Sequence, residues 1–396
     1  MTDFAIFWDW LNFAARWLHV VTGIAWIGSS FYFVWLDNSL EAPADPLLKG
    51  KGVAGELWAV HGGGFYNPQK YLVAPPRLPE RLHWFKWEAY TTWLSGFALL
   101  AIVYYLQGAG TLLKSELGWP GWAGPALGIA ALAAAWLVYD GLCRSALGRN
   151  DVAVAAIFAA VFAFAVFGLS FAMTGRALYL HAGAMLGTIM SANVLFVIIP
   201  GQRRMVEAMA AGRAPDPEYG RRGKQRSVHN NYFTLPVLFA MISNHYAMLY
   251  SDALAPLWLL ALMAGGALMR HTFNLRHKGR SGLAWFAGGA AIVAAIAVAL
   301  SPRPPADAGG PAVATAELMP VLAQRCANCH SARPTFPGIA AAPKGVDLTK
   351  PEWVRANAAR IHAQAVTLKA MPPGNATEMT EDERALVDRW YRGGAR

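Results

Sequence analysis

Residues 152–173, VAVAAIFAAVFAFAVFGLSFAM, hold no charged side chain, and residues 282–300, GLAWFAGGAAIVAAIAVAL, repeat the pattern. A helix needs roughly 20 mostly apolar residues to cross a bilayer. In water, a helix that is apolar on every face leaves much of its surface without a partner. These two runs constrain the fold more than any other feature of the chain. Six further runs lie near residues 11–36, 86–106, 122–141, 178–199, 231–250 and 254–275, and the eighth helix is expected over 281–300. The run at 231–250 is the most interrupted, by Asn231, Pro236, Asn244 and His245. Composition agrees: of 396 residues 55% are hydrophobic and 15% charged, and 16 are tryptophan. The expected fold class is all-α, a polytopic bundle of eight transmembrane helices over 1–300, a Pro/Ala/Gly-rich linker at 301–315 and a small domain at 316–396.

The net charge of +10 could suit a polyanion, but the basic residues gather in particular loops, so no nucleic-acid partner is expected. Loops after the first, third, fifth and seventh helices carry most of them. On the other side stand only Lys114, Arg176 and Arg303. The positive-inside rule then puts both termini outside, in the periplasm of a bacterial inner membrane, with the lipid bilayer as a partner. The first apolar segment has no basic lead and is too long for a cleavable signal, so it is expected to be a span.

Cys326, Cys329 and His330 have the C-x-x-C-H spacing that attaches a c-type haem, with His330 as one axial ligand. A disulfide and a zinc half-site are the competing readings; no second cysteine pair exists to complete a zinc site. Met371, followed by two prolines, is the expected second ligand, ahead of His362, Met319 and Met379. The last helix is expected to open on the capping box Thr380–Glu383. One covalent haem on such a domain has the form of a class I cytochrome c. Cys143, the third cysteine, reads as a packing residue.

Ionisable groups inside a membrane are costly and mark candidate functional sites. His19, His181 and His245 fall near the outer ends of helices, and His83, His229 and His271 near the inner ends, with His61 in the first inner loop. Two membrane histidines could ligate a second haem or a metal, or act as acid and base. Glu88 and the adjacent Arg270–His271 are further charged candidates. The long loop before the second helix contains HGGGFYNPQKY, readable as a lid over a planar anion or as an amphipathic hairpin at the membrane surface. Arg221, Arg222, Lys224 and Arg226 read chiefly as topology signal. WLH at 17–19 and YLH at 179–181 suggest a four-plus-four duplication. No Walker, Rossmann or nucleophile-elbow pattern is present.

WLHVVTGIAWIGSSFYF, HGGGFYNPQKY and HWFKWEAYTTWLSG, together with the C-terminal haem motif, resemble the bacterial membrane-integral urate oxidases that end in a cytochrome c domain. The resemblance implies oxidation of urate to 5-hydroxyisourate in purine degradation. Electrons would pass to the chain's own haem c, then to a soluble cytochrome c or terminal oxidase, without making hydrogen peroxide. Basic and aromatic side chains would orient urate, and a histidine (His19, His61, His83, His181 or His245) or Glu88 would accept a proton. The rival reading is a quinol-oxidising electron-transfer subunit without urate chemistry.

Overall fold

The computed structural model describes residues 2–106, 112–301, 313–336, 339 and 341–396, with side chains from residue 6 onward, so most of the expected linker lies outside the described residues. Helix α1 runs from Thr2 to Ser39 and is followed by the short α2, Pro46–Gly50. Then come β1 (Val53–Glu56), β2 (Ala59–His61), β3 (Gly64–Tyr66) and β4 (Gln69–Tyr71), which form two antiparallel pairs, β1 with β4 and β2 with β3. The bundle continues with α3 (Trp87–Leu100), α4 (Ala123–Arg144), α5 (Asp151–Ala172), α6 (Gly175–Ala192), α7 (Ile199–Ala210) and α8 (Pro217–Ser243). It closes with the short α9 (Ala247–Tyr250), α10 (Ala255–Arg276) and α11 (Leu283–Ala299). The C-terminal region holds α12 (Thr315–Arg325), α13 (Pro351–Ala356), α14 (Ala358–His362) and α15 (Glu381–Arg392).

Among the described residues five helical stretches are long and apolar enough to cross a membrane: Ile6–Ser39, Trp87–Leu106, Ala123–Arg144, Asp151–Ala172 and Gly175–Ala210. Helix α11 is apolar but shorter. The expected span at 231–250 differs in the structure. Its helix starts at Pro217, capped by Asp216, and stops at Ser243. The Asn244 side-chain oxygen accepts from the Tyr104 hydroxyl at 3.0 Å and from the Arg176 guanidinium, which fixes Asn244 in the turn before α9.

Helix α5 shows what kind of surface the bundle presents. Val154, Phe158, Phe162 and Val166 recur every four residues and are buried, while Phe164 and Phe171 on the opposite side are exposed. A helix apolar on both faces suits a lipid surround rather than water. Helix α6 sits at the centre and is buried along most of its length. It admits its neighbours through small residues: a Cβ on Gly183 would lie 2.6 Å from Ala240 Cβ of α8. In the bundle, widened π-type turns at Ala101–Leu106 and Asn193–Ile198 extend α3 and join α6 to α7. Such turns re-aim side chains and recur at functional sites. Here they carry Tyr104 and Tyr105 in one case and Asn193 in the other.

The C-terminal core gathers Leu318, Leu322, Val354, Val387 and Trp390. It also takes in Val313, and Thr315 accepts from Trp390 Nε1 at 3.0 Å while its amide bonds the Arg396 carbonyl at 2.6 Å. This packed unit therefore begins slightly before residue 316. The capping box is present: Glu383 N donates to Thr380 Oγ1 at 3.2 Å and Thr380 N to Glu383 Oε2 at 2.7 Å. The two regions touch where Gly374 meets Thr174, the N-cap of α6: a Cβ on Gly374 would lie 2.7 Å from Thr174 Cγ2. Only glycine, here at φ +60°, fits that contact.

Candidate functional site

Cys326 caps α12 and opens one tight turn, with Cys329 N and His330 N both donating to the Cys326 carbonyl, at 3.1 and 2.8 Å. Both thiols are free and half-buried. Burial, with Cys329 adjacent, pushes the Cys326 thiol up to about 12. Burial also lowers the His330 imidazole below its ordinary value, and its Nδ1 is buried without a hydrogen-bond partner. A half-buried imidazole with one ring nitrogen open, beside two free thiols, is a donor set that fits a covalent haem. Arg384 of α15 is buried, bonds the carbonyls of Ala365 and Met371, and reaches Asn375 Oδ1 at 3.1 Å. The loop carrying Met371 is thus propped from behind. The rival ligands are committed elsewhere: His362 Nε2 bonds Asp388 at 2.7 Å with its ring stacked on Tyr391, and Met379 is in the core.

The six expected acid–base residues are not gathered into one cluster. His61, His83 and His245 are exposed and Glu88 is half-buried. His19 Nδ1 lies 3.0 Å from the Thr92 carbonyl and 3.1 Å from Ser95 Oγ. His181 is fully buried, with Nδ1 on the Ala177 carbonyl at 2.8 Å. That carbonyl can only accept, so Nδ1 carries the proton and Nε2 accepts from the Tyr105 hydroxyl at 3.0 Å. Tyr105 also ends an aromatic series along α3: Trp93 stacks on Phe97 at 5.4 Å, and Phe97 meets Tyr105 edge-on at 6.4 Å. Among the described residues no group of three or more His, Cys, Asp or Glu side chains could hold a metal.

The HGGG run forms the β2–β3 hairpin. Gly62 and Gly63 both have positive φ, as the two-residue turn of a type I′ hairpin requires, and His61 pairs with Gly64 across it. The hairpin is exposed, with Phe65 and Tyr66 outward. Lys70 instead binds Asp37 of α1, which Lys224 also reaches at 2.9 Å.

Two cavities open at the end of the bundle where α1, α4 and α10 finish. The larger, about 650 Å³, is lined by Arg144, Arg149, Arg204, Arg221, Arg222 and Arg226. Most of these cations are already engaged. Arg221 and Arg222 hold Glu218, whose carboxyl their hydrogen bonds depress to about 2. Arg226 is buried against Asp140 at 2.7 Å and Asn193 at 3.1 Å, and Arg144 binds Asp140 at 2.6 Å. Beside it, Tyr139 and His229 Nδ1 are 2.7 Å apart. The smaller crevice, about 380 Å³, lies between α1 and α10, lined by Phe31, Tyr32, Trp35, Arg270, Phe273 and His277. Asn231 stands behind it: its Oδ1 accepts from Arg270 Nε at 2.9 Å and Asn274 Nδ2 at 3.1 Å. The sequence reading singled out Arg270 but missed Asn231's role, Asn274 and His277. The signal was there in the i, i+4 spacing of Arg270 and Asn274, which puts both on one helix face.

Residues 5–301 match the family described as Urate oxidase N-terminal. No curated protein and no solved structure matches the chain.

Proposed function

Because this chain belongs to the urate oxidase N-terminal family, we propose that it oxidises urate to 5-hydroxyisourate and passes the electrons to a c-type haem on its own C-terminal region. The reaction balances as urate plus water giving 5-hydroxyisourate, two protons and two electrons. Dioxygen is not consumed and hydrogen peroxide is not made. The observation that carries this reading is a urate oxidase bundle joined, in one chain, to a turn presenting Cys326, Cys329 and a His330 whose Nδ1 is buried without a partner.

Cys326 and Cys329 would anchor the haem, and His330 and Met371 would ligate its iron. Bound there, the haem supplies a one-electron acceptor. The loop bearing Met371 continues into Gly374, which touches Thr174 at the head of α6. Two turns farther along α6 lies His181, bonded to Tyr105, the end of the Trp93–Phe97–Tyr105 aromatic series. This series gives electrons a route along α3 toward the C-terminal region. At the opposite end of α3, Glu88 and His83 are the expected acid–base residues that could take protons. Both His181 nitrogens are bonded, so His181 itself is not a free imidazole for a second haem or a metal.

All eight apolar runs are assigned as spans, with both termini and the haem region periplasmic in a bacterial inner membrane. Electrons then leave to a soluble cytochrome c or a terminal oxidase. The test is anaerobic turnover of purified full-length protein with urate and oxidised soluble cytochrome c. The proposal expects two cytochromes reduced per urate and formation of 5-hydroxyisourate without peroxide. Urate loss that requires dioxygen and yields peroxide would overturn it, as would oxidation of quinol alone.

A further inference from the structure

We infer that urate binds in the crevice between α1 and α10, held along one amide edge by Arg270 and Asn274. The inference rests on the urate reading above and gives it a site. Among the described residues four buried side-chain polar atoms lack any hydrogen-bond partner: Arg270 Nη2, Asn274 Oδ1, His277 Nδ1 and His330 Nδ1. The last belongs to the haem turn. The other three are side chains of one helix end, and two of them line this crevice. A buried donor or acceptor without a partner has lost its water and gained nothing in return. Three together therefore call for a molecule that satisfies them.

The chemistry of that molecule follows from the groups left open. Arg270 and Asn274, both buried, are anchored through the same Asn231 oxygen. Arg270 therefore offers a free N–H from the crevice wall, and Asn274, one turn farther along α10 and outside the lining, holds a free acceptor on the same Asn231 anchor. This donor–acceptor pair complements the C=O and N–H neighbours of a cyclic amide or ureide, and urate is built from such edges. The rest of the wall is Phe31, Tyr32, Trp35 and Phe273, whose rings suit a flat ligand, and His277, whose buried Nδ1 is open. The Arg270 guanidinium lies 3.9 Å from the Phe31 ring centroid and supplies the positive charge a urate anion needs. The crevice volume is at the small end of the range for small-molecule sites. The larger arginine cavity is a weaker candidate, since its guanidinium groups already hold Glu218 and Asp140. From Asn231 to Asn244 is about 20 Å along α8, so electrons from this crevice must travel most of the bundle, as the aromatic series on α3 allows.

The test separates binding from electron transfer. Full-length protein is reduced with dithionite so that urate cannot turn over, and urate binding is measured by equilibrium dialysis. Asn274→Leu and Arg270→Lys are each expected to weaken binding about 10- to 100-fold, with the haem spectrum and melting profile kept. Should Arg270→Lys fail to fold, Asn274→Leu carries the test. Unchanged urate affinity in a folded variant, with urate still reducing the wild-type haem, would place the site elsewhere and overturn the inference. Displacement of urate by phosphatidylglycerol nanodiscs with no loss in the variants would also overturn it. Binding lost in the variants while urate fails to reduce wild-type haem would uphold the site and sink the electron-transfer reading.

Discussion

The bundle and the C-terminal region assemble their chemistry in opposite ways. Cys326, Cys329 and His330 come from one turn, closed by bonds to a single carbonyl. The crevice draws on α1, α8 and α10, and its organiser Asn231 reaches Ser30 across 201 residues of chain. A site made by one turn needs only local sequence. A site made by three helices needs the whole bundle packed first, so its residues are meaningful only after α6 and its neighbours are in place. The two regions meet at Gly374 and Thr174, and each can be perturbed alone.

Removing the anchor is the largest perturbation. The double variant Cys326→Ser, Cys329→Ser should lose covalent haem and urate-driven reduction completely, while urate binding stays within about twofold of wild type. Loss of urate binding as well would show that the regions are not separable; absorbance spectra and dialysis read both. In the bundle, Arg226→Met leaves the half-buried Asp140 without its buried cation. Breaking such a pair costs about 3 kcal/mol, to be read as a fall in the bundle's melting temperature with the haem spectrum unaltered.

The contact between the regions is tested by Gly374→Val. Its side chain would strike Thr174, and its φ is unfavourable for valine. Stopped-flow mixing with urate should show haem reduction slowed about tenfold, since small misplacements are costly to rates, with urate affinity unchanged. The smallest expected effect is Thr380→Ala, which deletes the α15 capping box at about 1 kcal/mol. It should lower the melting temperature of the C-terminal region alone.

Much of this was legible in the sequence where the determinants are local. The apolar runs became helices, the Thr380–Glu383 capping box formed as expected, and Cys143 packs against the bundle core. The break at Asn244 was foreshadowed by the polar residues in that run, but not the reason for it, which is a bond from Tyr104 140 residues away. The π-type turns carry no sequence signal at all. Loop glycines were ambiguous for the same reason: Gly62 and Gly63 serve a hairpin turn, which only pairing of Ala59–His61 with Gly64–Tyr66 reveals. Histidines drew attention by rarity, yet the unpartnered groups at this helix end are Arg270, Asn274 and His277, none of them among the histidines expected to act as acid or base. Which buried polar atoms stay unsatisfied is a property of packing, not of residue type.

The most direct test of the central claim is the visible spectrum of the oxidised, full-length protein under anaerobic conditions, before and after urate is added. Full reduction of the c-type haem by urate, and none by xanthine or allantoin, is the expected result. A haem that stays oxidised with urate but is reduced by a quinol would contradict it.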